Sequence, residues 1–247
     1  MGRASANVDL DLLAGDAELY DPTTRGFGPG PAMPDARGGH TATRLADGRV
    51  LLVGGANRDG SVLASAEIYD PVGATFTPVG AMVTPRYKHA AVRLDDGRVL
   101  VVGGSDARDW RGTYRTTELF DPATRGFSAG PRLAAERFKL AGAVVGLPGG
   151  RVVVAGGAAS VEVLDDDALD AAGGAGEAGG AGGAGEAGGA GGAGGAGGAV
   201  VSTLARASYY GTATMVGDDL IVIGGYRADV QSSDAIATVP HLARRNL

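Results

Sequence analysis

The side chains best suited to chemistry are arginines and histidines standing at repeating places. Arg37, Arg86 and Arg137 each follow Met33, Met82 or Leu133 by four residues, and Arg206 lies near the corresponding place further along. His40 and His89 come three residues after the first two arginines, and Leu140 and Tyr210 are read into that slot later in the chain. Guanidinium groups gathered at one opening suit carboxylate or phosphate, because their planar fork offers paired hydrogen bonds to such oxygens. The competing reading makes each Arg a structural clasp, paired with a neighbouring acid or backbone carbonyl, and repetition of the position weighs toward it. A catalytic zinc commonly takes three protein ligands. Leu140 and Tyr210 interrupt the histidine series, so the histidines read as structural and no metal or other cofactor is assigned. Trp110, the only tryptophan, lies in SDARDWRGTYRT. There an aromatic ring can stack on a sugar, clasp a peptide or pack over a strand edge.

Composition narrows the function classes. Lys and Arg number 22 against 28 Asp and Glu, a net charge of −6, so the general electrostatic footprint of a nucleic-acid binder is absent. Without cysteine there is no disulfide framework, thiolate metal site or cysteine nucleophile. No apolar run reaches the roughly 18 residues of a membrane-spanning helix, and the opening MGRASANVDLDLLAG lacks the apolar stretch of a secretory signal. As written the chain reads as cytoplasmic; a start trimmed from a longer precursor would read the same way and allow an extracytoplasmic place.

The elements that must position these residues repeat. Arg86 to Gly104 reads as two strands, Ala90 to Leu94 and Arg98 to Val102, joined at Asp95-Asp96-Gly97 and closed by a glycine pair. Asp-Gly is expected to supply the positive φ angles of a two-residue turn. Related hairpins end at Gly54-Gly55, Gly156-Gly157 and Gly224-Gly225. A second pattern, AELYDPTTRGF, returns as AEIYDPVGATF and TELFDPATRGF, which makes Tyr20, Tyr69 and Phe120 equivalent, and likewise Phe27, Phe76 and Phe127. Proline after the aspartate ends a strand, since it cannot donate to a ladder. Four antiparallel strands per unit of about 50 residues make the blade of a β-propeller.

The glycine pairs and the Tyr slots resemble the kelch repeat, with Phe27, Phe76 and Phe127 where that repeat carries tryptophan. The pattern LxDGRVLVxGG followed by AExYDPxxxxF is similar to bacterial kelch-like proteins, strongly over residues 17 to 165 and weakly over 200 to 240. The resemblance implies an all-β, kelch-type propeller of about four blades, and a fold more than an activity. Residues 1–16 read as a poorly ordered arm, 17–240 as the blades, and 241–247 as a tail. The stretch 171–198, almost pure Gly, Ala and Glu, reads as a flexible insertion between a third and a fourth strand. VEVLDDD lacks both aromatics of its unit, so that blade is expected to be thinner in its outer packing. If the N-terminal strand pair completes the last blade, four blades result with one third strand left over. An open arc, a fragment of a larger ring and closure by a second copy all remain open, and an incomplete propeller is favoured.

Two functions follow. The first is a non-enzymatic binding or scaffold module that recognises a protein or an acidic ligand through the loop face, where Arg37, Arg86, Arg137, Arg206, His40, His89, Trp110 and Tyr210 would stand. The second, taken from the resemblance, is an enzyme acting on carbohydrate or sialic acid. Gly174-x-Gly176-x-x-Gly179 matches a dinucleotide fingerprint only by composition, and Asp165-Asp166-Asp167 lacks the spacing of a calcium loop.

Overall fold

The computed structural model describes residues 15–173, 197–226 and 236–244. Its first strands, β1 (Glu18–Asp21) and β2 (Gly26–Pro29), form a two-stranded sheet. Blade 1 consists of β3 (Thr41–Arg44), β4 (Val50–Val53), β5 (Ala66–Asp70) and β6 (Thr75–Pro78). In blade 2 the strands are β7 (Ala90–Arg93), β8 (Val99–Val102), β9 (Thr117–Asp121) and β10 (Gly126–Ala129). Blade 3 has β11 (Val144–Gly146), β12 (Val152–Val154), β13 (Ser160–Leu164) and β14 (Ala199–Thr203). Blade 4 has three strands among the described residues, β15 (Thr212–Val216), β16 (Asp219–Ile223) and β17 (Ile236–Val239). Every pairing is antiparallel, and α1 (Asp166–Gly173) is the one α-helix among the described residues. The chain is therefore the four-bladed, all-β propeller arrangement expected from the repeats.

Each blade has a rear face toward its predecessor and a forward face toward its successor. Because successive strand residues point to opposite faces, a second strand packed on both sides must be apolar throughout. Val99, Leu100, Val101 and Val102 are all fully buried. Val99, Val101 and Phe120 pack rearward with Leu51, Val53, Ala66 and Ile68 of blade 1. Leu100, Val102 and Leu119 pack forward with Val152, Val154 and Leu164 of blade 3, and Val153, Val161 and Val163 continue the series onto Leu220, Val222 and Val239 of blade 4. Each large apolar side chain so buried contributes about 1.5–3 kcal/mol. The seams between blades therefore hold the core.

Two local features differ from expectation. The first hairpin loops of blades 1, 2 and 3 span three residues, and only that of blade 4 spans two: in blade 2 Leu94 N–H donates to Arg98 O at 2.8 Å, and of the loop residues only Gly97 takes positive φ, +93°. Asp96 instead accepts the Arg98 N–H at 2.9 Å. The second difference concerns blade 3, where Leu164 takes the place of the first aromatic and α1 brings Leu169 into the same cluster with blade 2. Asp165 Oδ1 accepts the Ala168 N–H at 2.9 Å, which satisfies an otherwise orphaned donor of the first turn. The outer packing of that blade is filled by a helix and is not thin. The segment 171–198 does join β13 to β14, which pair antiparallel with a register shift between Val161 and Glu162; its residues 171–173 are the end of α1 and not flexible chain, and residues 174–196 lie outside the described residues.

Closure of the ring also differs. The N-terminal pair does not complete blade 4, because the second edge of β16 is already occupied by β17, with Leu220 opposite Val239 and Ile223 opposite Ile236. Inner strands β3, β7, β11 and β15 touch in succession, with no comparable contact from β15 back to β3. Of the segment read as an arm, Gly15 is fixed by Met33 N–H donating to its carbonyl at 2.6 Å; residues 1–14 lie outside the described residues, as do 245–247 of the tail.

The glycine pairs sit where blades approach most closely. Gly104 has φ +97°, and a Cβ there would lie 2.9 Å from both the His89 Cβ and the Tyr87 carbonyl oxygen. Gly104→Val is expected to destabilise by about 2–6 kcal/mol, from backbone strain together with overpacking. A melting temperature close to the parent's would show that the close approach carries no such cost.

Candidate functional site

The arginines are built into the seams. Arg86 Nη1 donates to Gly103 O at 2.6 Å and to Thr116 O at 3.1 Å, and Nη2 donates to Glu118 Oε1 at 2.8 Å. Its own carbonyl accepts the Gly55 N–H of the preceding blade at 3.0 Å. One residue thus binds two blades, by its backbone to the one behind and by its side chain to the one it enters. Arg37 repeats the side-chain half with Gly54 O at 3.0 Å and Glu67 at 2.7 Å. Arg137 repeats both halves, bonding Gly156 O at 2.7 Å and Glu162 at 2.6 Å while its carbonyl accepts the Gly104 N–H at 2.8 Å. All three arginine side chains are 0% exposed. Glu118 also accepts the Val83 and Thr84 N–H groups, and Glu162 those of Ala134 and Ala135. The glutamates thereby tie down the chain entering each blade.

This arrangement is the clasp and not a shared anion site. Sequence reasoning named the arginines without their partners, although Glu67, Glu118 and Glu162 recur in the third strand of each unit. A carboxylate recurring among buried strand residues was the available signal. Arg206 does not belong to the series: it is exposed, and Ser208 stands in the arginine slot, donating from Oγ to Gly224 O at 2.5 Å and accepting the Gly157 N–H at 2.8 Å. That shift of two moves the histidine slot of blade 4 to Gly211, so Tyr210 belongs one position earlier.

The imidazoles of His40 and His89 are both shifted toward the neutral form. Burial pushes His89 down from 6.5 to about 3, with the positive Arg86 adding to the effect, and Thr41 Oγ1 lies 3.0 Å from its Nε2. Burial lowers His40 too, again assisted by its arginine, Arg37. Among the described residues no three His, Asp or Glu side chains are grouped to hold a metal ion, and no helix is long and apolar enough to cross a membrane.

A different cluster meets solvent. Gly39, Lys88, Lys139 and Tyr210 occupy one slot in the four blades, and all take positive φ, between +55° and +66°. Their backbones join in series: Lys88 N–H donates to Gly39 O at 2.9 Å, Lys139 N–H to Lys88 O at 2.8 Å, and Tyr210 N–H to Lys139 O at 2.8 Å. This chain of bonds runs beside the inner strands and sets the side chains around the mouth of the propeller. The loop between β8 and β9 brings Asp109 to them, 2.8 Å from Lys88 Nζ and 3.9 Å from Lys139 Nζ, and Tyr87 Oη donates to it at 3.2 Å. Two ammonium groups therefore face one carboxylate.

Aromatic rings complete the cluster. Lys139 Nζ lies 5.0 Å from the Phe138 ring centroid and 5.7 Å from that of Tyr210, and Tyr210 meets Tyr226 edge-on at 6.4 Å. Burial lowers Lys139, with Asp109 opposing and Lys88 reinforcing the shift. Burial also raises the Tyr210 hydroxyl. Of the residues named from sequence, Tyr210 alone is placed in this cluster by its described side chain. Trp110 follows Asp109 in the same 3-10 turn, and its side chain lies outside the described residues. Lys88, Lys139 and Asp109 were missed because the signal, Arg-Tyr-Lys, Arg-Phe-Lys and Ser-Tyr-Tyr at equivalent places, is short. At the opposite end, Asp95, Asp96, Arg98, Leu169 and Asp170 line a shallow cleft of about 360 Å³, in which Arg98 and Asp170 pair at 2.7 Å.

The sequence matches no family model, and comparison with curated proteins gives no match.

Two outcomes check this assignment. Glu118→Ala leaves Arg86 charged and buried without its carboxylate, and is expected to cost about 3–5 kcal/mol of stability; a loss under about 1 kcal/mol would place the clasp among the weak surface pairs. The depressed His89 pKa means that the unfolded chain binds a proton the folded one refuses, so His89 destabilises progressively as pH falls from 6.5 toward about 3. His89→Leu, the residue type blade 3 carries in that slot, is expected to flatten the fall of melting temperature over that range. An unchanged slope would exclude His89 as its source.

Proposed function

We propose that the protein is a kelch-type propeller serving as a binding module, and that its mouth takes an acidic segment of a partner protein. The observation that carries this reading is the pairing of Lys88 and Lys139 with the single carboxylate of Asp109, at 2.8 and 3.9 Å. Two ammonium groups and one carboxylate are gathered there on a chain whose net charge is −6. Tyr87, Tyr210 and Tyr226 beside them supply rings and hydroxyls for a peptide to lie against, a combination enriched at protein interfaces. Left-handed residues bonded in series hold the lysines in place, so little conformational entropy is lost when a ligand arrives. The buried arginines contribute by fixing the loops that carry these residues.

The test uses a fluorescein-labelled oligo-glutamate peptide and its glutamine counterpart, with anisotropy as the readout. The glutamate peptide is expected to bind more tightly and to weaken with added salt. Lys139→Gln is expected to reduce its affinity about three- to tenfold, in keeping with a partly exposed charge contact, while leaving the melting temperature near the parent's. Equal binding of both peptides, or indifference to Lys139→Gln, would overturn the reading.

A further inference from the structure

Among the described residues, two apolar sheet faces lie open at opposite ends of the blade series. On the forward face of blade 4, Val216 is 62%, Ile223 45% and Ile236 68% exposed. Register identifies what this face is built to meet. In blade 1, Leu51 lies opposite Ile68 and Val53 opposite Ala66; in blade 4, Ile221 lies opposite Thr238 and Ile223 opposite Ile236. The blade 1 set is buried against the rear face of blade 2, whose aromatic member is Phe120. The corresponding set of blade 4 has no such neighbour among the described residues.

The second open face is on the β1–β2 hairpin, which reproduces the outer half of a blade. Met33 N–H donates to Gly15 O at 2.6 Å, as Met82 does to Ala64 at 3.0 Å and Leu133 to Arg115 at 2.8 Å. The rings of Tyr20 and Phe27 stand 5.2 Å apart at 52°, nearly the geometry of Phe120 and Phe127, 5.1 Å and 53°. Phe120 is 0% exposed, whereas Tyr20 and Phe27 are 54% and 70% exposed. The hairpin thus displays the rear face of a blade with its aromatic pair already formed.

We propose that the occupant of each face is a second copy of this chain, the forward face of blade 4 in one copy packing on the Tyr20–Phe27 face of another. The contact repeats the seam that already joins blades 1 and 2, branched aliphatic residues against a tilted aromatic pair. It is heterologous, using different surfaces of the two copies, so it forms a closed ring if the rotation permits and a chain of copies if it does not. It does not draw on the lysine mouth and stands independently of the binding reading.

Sedimentation of the full chain over a range of concentrations is expected to show reversible association. Phe27→Asp and Ile223→Asp alter exposed positions and are each expected to leave the melting temperature near the parent's while shifting association at least about tenfold upward in concentration. The mixture of the two variants is decisive. The intact forward face of the Phe27→Asp chain can meet the intact hairpin of the Ile223→Asp chain, so the mixture is expected to form a one-to-one heterodimer. A wild-type chain that stays monomeric at all concentrations, association that survives either substitution, or a mixture that stays monomeric while the wild type associates would each overturn the proposal.

Discussion

Everything in this molecule depends on a positive charge that has been taken out of water. Guanidinium groups at Arg37, Arg86 and Arg137 sit at 0% exposure, where an unmatched cation would be costly. Each is matched by a glutamate of the third strand and by glycine, serine or threonine carbonyls. A purely apolar seam would hold blades together but would slide, since dispersion and burial have little direction. The clasp has direction. It sets the height of each blade against the one before, and it explains the glycine pair: at Gly54 an added Cβ would come within 2.5 Å of the Arg86 carbonyl oxygen. In blades 1 to 3 the Arg, the Glu and the two glycines act as one device; blade 4 keeps the glycine pair and the backbone contact with Ser208 in place of the arginine.

Much of the fold was legible because its signals are local and repeated. The Asp-Gly hairpins, the glycine pairs and the AExYDP strands each recur in register, and a period shared by several linked positions leaves few architectures open. What the sequence hid lies where one unit departs from the rest. Blade 3 loses its aromatics and gains Leu169 from a short helix capped by Asp165, a substitution that no period announces. Blade 4 changes its arginine to Ser208, and Arg206 two residues earlier offers a charge where only the backbone contact persists. The site was less legible still. Asp109 reaches Lys88 from a loop of irregular length, and pairing across such a distance leaves no mark in residue spacing.

The open faces and the buried clasps express one rule of repeat architecture. A unit that is half interface cannot satisfy itself, so stability grows from neighbours. Tyr69 and Phe76, in the blade next to the hairpin, stack at 4.9 Å, just as the exposed Tyr20 and the buried Phe120 do with their own partners. Local strand pairing therefore forms the aromatic pair, and the neighbouring sheet only covers it. Exposure along this series reports position in the stack and not a difference in the units.

The left-handed slot that holds Gly39, Lys88, Lys139 and Tyr210 separates where a side chain stands from what it is. Its geometry comes from main-chain donors and acceptors passed from one blade to the next, and three residue types take it with φ between +55° and +66°. Glycine, a cation and a phenol have been exchanged there without disturbing the scaffold. The mouth of such a protein can change its chemical preference one blade at a time, and a new specificity needs no new fold.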